Sequence, residues 1–379
     1  MAIARAAKPV AAGRPDQTVA IARAAKPVAA GRPDQTVAIA RAAKPVAAGR
    51  PDQTVAIARA AKPAAAGRPD QAGRFRHGGA PAILAASRSD WLRRTAERMP
   101  VTRKVVHRFV PGETMGSVLE SIVALRDSSR YVSVNYLGED VADADDAAAT
   151  TQTYLCLLDA LGRRPDVAGD GVRPLEVSVK LSALGQALDR DGEKIALENA
   201  HTICERAQQA GIWVTVDAED HTTTDSTLST VRDLRVDFPW LGVVLQAYLR
   251  RTLSDCQQFA AEGARVRLCK GAYDEPASVA YRDRPAVTDS YLRCLRVLMA
   301  GSGYPMVATH DPAVIAAVPK LARETGRIAN SFEYQMLYGI RDAEQRRLVD
   351  AGSQVRVYVP YGTQWYGYLV RRLAERPRI

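Results

Sequence analysis

The chain has 379 residues, enough for one large or two ordinary domains, and a hydrophobic content of 47% supplies a sizeable core. Of its 52 basic and 42 acidic residues, twelve and four fall in residues 1–72, so that stretch carries +8 of the net +10; the near-neutral remainder excludes a nucleic-acid-binding surface there. The five cysteines form no C-x-x-C pair and no metal spacing, as in a reducing cytosol; no apolar run approaches the roughly 18 residues of a spanning helix, and the N-terminus lacks the apolar segment of a secretion signal.

The first feature along the chain is a repeat. Met1–Thr18 recurs as Val19–Thr36, as Val37–Thr54 and, slightly changed, as Val55–Ala72. The 18-residue period equals five helical turns, yet each unit carries two prolines and a glycine, as Pro9, Gly13 and Pro15 do in the first. Without aromatic residues or a large apolar stripe, the unit cannot offset its ordering entropy. Residues 1–72 are therefore expected to be a disordered tail, with a basic tether to an acidic partner as the alternative. Met1 stands where the other units have Val, so Val19, Val37 and Val55 are further expected starts of translation.

Residues 73–129 are expected to be a helical lead-in, basic over Pro81–Val110. From residue 130 to 379, short β-branched runs alternate with longer amphipathic stretches. The strands are predicted at Tyr131–Tyr136, Leu175–Leu181, Trp213–Asp217, Gly242–Gln246, Val266–Lys270, Pro305–Thr309, Ile328–Tyr334 and Val355–Val359. Helices are predicted between them, among others over Asp143–Leu161, Glu193–Ala210, Thr252–Glu262, Thr288–Met299 and Pro312–Glu324. Eight strands, each with its helix, make a closed (β/α)8 barrel of the α/β class. A doubly wound sheet is the competitor, but no G-x-G-x-x-G follows any strand.

Reactive residues of such a barrel lie at the C-terminal ends of its strands. Those positions hold Lys180, Asp217, Glu219, Gln246, Tyr248, Arg267, Lys270, Tyr273, Thr309, His310, Asp311, Glu333, Gln335 and Tyr358. A barrel interior is expected to be mostly branched and apolar, so charges converging on one rim must be paired or bound to ligand. On the last helix Tyr368, Arg371 and Arg372 share a face, and two adjacent guanidiniums match a carboxylate. Plainer readings stand beside these: Arg371 and Arg372 pairing with Glu375, Lys180 with Asp217, Arg267 with Glu219, His310 as a satisfied core residue, the tyrosines as rim packing and the cysteines as core fillers. Asp217, Glu219 and His310 also compose a donor set for a metal-dependent barrel isomerase or lyase, although no metal is expected. A catalytically silent barrel acting as a binding module is a third reading.

The motifs VSVKLSALG, VDAED, LQAYL, RLCKGAY, ATHD, FEYQMLYGIR and VPYGTQWYGYLVRRLAE, in that order, resemble the proline dehydrogenase family, from about Phe109 to about Pro377. The resemblance implies a flavoenzyme that removes a hydride from a CH–NH bond of L-proline, passes it to FAD and yields 1-pyrroline-5-carboxylate. Carried over by motif, the cofactor contacts are Ala218, Gln246, Arg267, Lys270, Gly271, Ala272, Thr309 and His310. The substrate residues are Lys180, Tyr273, Leu337, Tyr358, Tyr368, Arg371 and Arg372, with Asp217 and Arg267 as the catalytic pair. The resemblance also implies a quinone or other membrane-linked electron acceptor, a 1-pyrroline-5-carboxylate dehydrogenase as partner, and a cytoplasmic location peripheral to the inner face of the membrane. Three features depart from the family: the repeat tail; Asp311, where Asn is frequent; and the chain end at Ile379 soon after the arginine helix, which carries an expectation of weaker flavin retention.

Overall fold

The structure, a computed structural model, describes residues 106–138, 141–166 and 171–374. The repeat tail, most of the lead-in and Glu375 lie outside the described residues. Helix α1 (Met115–Asp127) precedes the first strand, its N-terminus capped by the Thr114 hydroxyl, which accepts from the Ser117 N–H at 3.3 Å. Strands β1 (Tyr131–Tyr136), β2 (Leu175–Val179), β3 (Trp213–Val216), β4 (Gly242–Gln246), β5 (Arg265–Cys269), β6 (Tyr304–Ala308), β7 (Glu333–Leu337) and β8 (Val355–Tyr361) then alternate with helices. Each strand pairs in parallel with the next, and β8 closes on β1 with Tyr131 opposite Arg356, giving the expected (β/α)8 barrel.

The intervening helices are α2 (Ala144–Gly162), α3 (Gly192–Ala210), α4 (Thr224–Asp237), α5 (Thr252–Ala261), α6 (Arg284–Ala300), α7 (Pro312–Thr325) and α8 (Asp342–Asp350), and α9 (Trp365–Ala374) follows β8. Local chemistry sets several starts. Asp143, Asp283 and Asp311 each cap a helix by accepting from a backbone N–H at 2.9 Å, the last two with proline in the first turn. The cap at Asp283 explains why α6 begins a turn before the predicted Thr288. The seventh strand is the clearest displacement. It was expected over Ile328–Tyr334 but runs over Glu333–Leu337, because Ile328 is 66% exposed and the segment before Glu333 is a turn.

Along each strand one set of side chains packs under the helices and the other points into the barrel. Val132, Val134, Val177, Val266, Tyr334 and Val357 belong to the helix-facing core, together with Tyr154, Ile203, Phe259 and Tyr291. The interior does not match the expected apolar filling. It holds Ser133, Glu176, Ser178, Arg265, Arg267, Glu333, Gln335 and Arg356, all buried. Arg356, fully enclosed, donates to Glu333 at 2.7 and 3.0 Å and to the carbonyls of Val132 and Pro174 at 3.2 Å. Arg265 pairs with Glu176 and lies 3.6 Å from the ring centre of Trp213. Gly242 makes room for it: a Cβ there would stand 3.3 Å from Nη1 of Arg265 and 2.5 Å from Oγ1 of Thr215. Arg265 and Arg356 stay charged although buried because each has an opposite charge and further hydrogen bonds.

A smaller apolar cluster lies apart from the main core. Val106, Phe109, Val110, Leu137 and Ile340 pack with Trp365, Tyr366, Leu369 and Val370 of α9. Trp365 also donates from Nε1 to Glu113 at 3.1 Å. The last helix is thus seated by the segment that precedes the barrel.

Candidate active site

Every site residue named from the motifs lines one cavity of about 1480 Å³. That exceeds the roughly 300–1,000 Å³ of a typical small-molecule site and leaves room for a large ligand beside a small one.

Arg267 lies at the base. Its Nε donates to Gln335 at 2.6 Å, Nη1 to Ser178 and Asp217 at 2.7 Å each, and Nη2 to Ser133 at 3.1 Å and Glu176 at 2.5 Å. All five N–H groups of the fork are engaged. Burial alone would weaken the guanidinium charge, but Glu176 and Asp217 outweigh it and raise its pKa above the ordinary arginine value. Glu176 is held well below the usual carboxylate range: burial opposes its ionisation, and Arg265, Arg267 and Arg356 overcome it. Asp217 accepts from the Tyr358 hydroxyl at 2.8 Å through its second oxygen. Burial and this neighbouring charge push the Tyr358 phenol far up, so it remains a donor. The expected neutralisation of Glu219 by Arg267 is corrected: Glu219 instead accepts from Ser182, at 3.2 Å from its N–H and 2.7 Å from its hydroxyl.

The opposite wall is rich in donors. Lys270 Nζ donates to Thr288 at 2.7 Å and to Asp311 at 2.6 Å. Burial works against ionisation of Asp311, but Lys270 and the α7 backbone hold its carboxyl below the usual range. Gly271 has φ +105° and presses on Tyr248, where a Cβ would stand 2.3 Å from the ring. His310 accepts at Nε2 from the Leu337 N–H at 2.9 Å, which leaves its proton on Nδ1. Burial, then Arg372 and Arg341, push His310 down to about 3, so the ring is neutral. Gln246 donates to the Glu219 carbonyl at 2.6 Å.

Arg371 and Arg372 reach the cavity from α9, with Arg372 5.2 Å from the ring centre of Tyr368. The alternative metal donor set is not brought together: Asp217 faces Arg267, Glu219 faces Ser182 and His310 faces Leu337. Among the described residues no group of three or more His, Cys, Asp or Glu is placed to hold a metal. Cys204, Cys256 and Cys294 are buried fillers as expected, but Cys156 is exposed and Cys269 lines the cavity. Motif reading passed over Ser133, Glu176 and Ser178, which hold Arg267, and did not assign Gln335. Their signal was present as polar residues two apart on strands that are otherwise apolar.

The sequence model of one protein family, described as "Proline dehydrogenase", matches residues 118–377. The chain belongs to the proline dehydrogenase family. It is 37% identical over 276 residues to "Proline dehydrogenase" of Deinococcus radiodurans, covering 72% of this chain and 87% of that one. With "Proline dehydrogenase 2" of Bacillus subtilis it shares 34% identity over 295 residues, covering 78% and 94%. Among solved structures it is similar to proline utilization A (PutA) from Bdellovibrio bacteriovorus inactivated by N-propargylglycine, with a TM-score of 0.65 and 26% identity. That match covers 72% of this chain, which spans about a third (32%) of the larger protein. Membership makes this chain an oxidoreductase of proline catabolism that oxidises proline, and disfavours the isomerase and silent-module readings. Among the described residues no helix is long and apolar enough to cross a membrane.

Proposed function

We propose that the chain oxidises L-proline to 1-pyrroline-5-carboxylate with FAD as its cofactor, the first step of proline catabolism to glutamate. The observation that carries this reading is the convergence on one cavity of the Asp217–Arg267–Tyr358 cluster, the paired guanidiniums of α9 and the donor wall around Lys270. Members of the family are flavoproteins, and that wall fits such a group: an ammonium, a glycine backbone that leaves room for close approach, and an imidazole with its proton on Nδ1 suit phosphate and hydroxyl oxygens.

The residues that would hold FAD are Ala218, Gln246, Arg267, Lys270, Gly271, Ala272, Thr309 and His310. The chemistry that FAD supplies when bound is acceptance of the hydride from proline C5. Arg371 and Arg372 clamp the substrate carboxylate. Leu337, Tyr273, Tyr358 and Tyr368 wall the apolar ring and fix its C5, so much of the rate benefit is orientation. Lys180 and Asp217 organise the amine, which must be neutral for C5 to give up hydride. Arg267, locked in place and charged, favours electron-rich character beside it. The electrons then pass to a quinone or other membrane-linked carrier, and a 1-pyrroline-5-carboxylate dehydrogenase consumes the product. The protein works in the cytoplasm, with transient contact at the inner face of the membrane.

The test is the absorbance spectrum of the purified protein with FAD before and after anaerobic L-proline. The expected outcome is a flavin band that bleaches. A band that persists refutes the substrate, and an absent band after reconstitution refutes the cofactor.

A further inference from the structure

The segment between β5 and α6 forms one wall of the cavity and carries Lys270–Tyr273. It wraps around Tyr248. The Tyr248 N–H donates to the Lys270 carbonyl at 2.9 Å, and its own carbonyl accepts from the Tyr281 N–H at 2.8 Å. The ring packs on Gly271, and the hydroxyl donates to Oε1 of Glu275 at 3.1 Å. A short bridge between Leu249 and Ala280 and a hydrogen bond from the Arg250 N–H to the Val279 carbonyl at 2.9 Å secure the returning end. The middle is held by Glu275. Only 4% exposed, its carboxylate accepts from the His221 backbone N–H at 2.9 Å and from His221 Nδ1. His221 belongs to the turn after β3, so this clasp joins two loops of the barrel mouth.

We infer that Glu275 is a positioning residue: clasped by His221 and Tyr248, it sets Lys270–Tyr273 against the cavity. The inference rests on the reading of Lys270 and Tyr273 as ligand contacts. A buried carboxylate between three donors is costly to leave without them, so the loop is fixed more firmly than its main-chain bonds require. The other charged groups nearby are committed. Asp220 caps its own turn through the Thr222 N–H at 2.9 Å. Arg282 donates to the Glu275 carbonyl and pairs with Asp274 at 3.0 Å. Tyr248 and Cys269, from the ends of β4 and β5, face the same corner, and burial followed by Glu275 keeps the Tyr248 phenol protonated.

Glu275→Gln separates this role from a merely structural one. Its amide keeps the shape but gives up the negative charge and one of the two accepting oxygens. The KM for L-proline should rise about tenfold over wild type, with kcat within about threefold. His221→Phe keeps the backbone donor and loses only the ring contact, so it should raise KM by a smaller factor. Amide exchange over residues 271–279 needs no turnover and should show Glu275→Gln losing protection there. A wild-type KM and exchange pattern in Glu275→Gln, or a loss of kcat in place of the rise in KM, would overturn the clasp. If that variant does not fold, wild-type KM in His221→Phe overturns it. A wild-type protein that fails to oxidise proline while the exchange difference persists would remove the proposed reaction and leave the clasp standing.

Discussion

The Lys270 ammonium, expected to meet an anionic ligand, already has a carboxylate partner in Asp311. Held below the usual carboxylate range, Asp311 is charged at neutral pH and competes with a phosphate for Lys270. The same side chain caps α7 through its other oxygen, which asparagine preserves. Asp311→Asn should therefore tighten FAD binding by about two- to fivefold, the scale of a half-exposed pair of about 0.5–1 kcal/mol, as titration of the apoprotein would measure. His310 makes the opposite kind of statement. Its imidazole is pushed from 6.5 to about 3 in the folded chain, so its contribution to stability is complete above about pH 6.5 and is lost as the pH falls toward about 3. Urea unfolding at about pH 7.5 and about pH 5 should show wild type losing more stability between the two than His310→Asn does.

Among the elements, α9 carries Tyr368, Arg371 and Arg372 to the cavity but is seated in its own apolar cluster with Val106, Phe109 and Leu137. The cluster is separate from the barrel core, so a cavity made in it should act on the helix more than on the barrel. Leu369→Ala removes a side chain only 4% exposed and should cost about 2–5 kcal/mol locally. The expected outcome is a raised KM for L-proline, from a carboxylate clamp that frays, with the barrel's melting temperature by circular dichroism little changed. Element limits were legible wherever turn chemistry was explicit: the Asp-Pro start of α7 and the ends of β1 and β4 are where the pattern put them. Ile328 misled the reading of β7 because an apolar β-former in a surface turn looks locally like the start of a strand.

For the molecule as a whole, the barrel is closed around charge. Arg356, Glu333, Gln335, Arg267, Glu176 and Arg265 form a continuous hydrogen-bonded chain from below the strands to the cavity. Glu333 also accepts from Tyr304 at 3.1 Å, so one carboxylate supports three strands. Glu333→Gln takes from the buried Arg356 the carboxylate it donates to and should destabilise the fold by about 3–5 kcal/mol, read as a lower urea midpoint.

The eight-strand order, the barrel class and the strand-end residues that line the cavity were carried by local signals: hydrophobic period, turn residues, and motifs at strand ends. Those signals are short-range and survive without knowledge of the partners across the fold. What the tertiary structure alone decided was who pairs with whom. Asp217 meets Arg267 rather than a metal donor set, Glu219 turns to Ser182, and Glu275 reaches back across the mouth to His221. Each pairing joins residues distant in sequence, and a buried charge takes whichever opposite group closure of the barrel brings within hydrogen-bond reach, which no local pattern encodes.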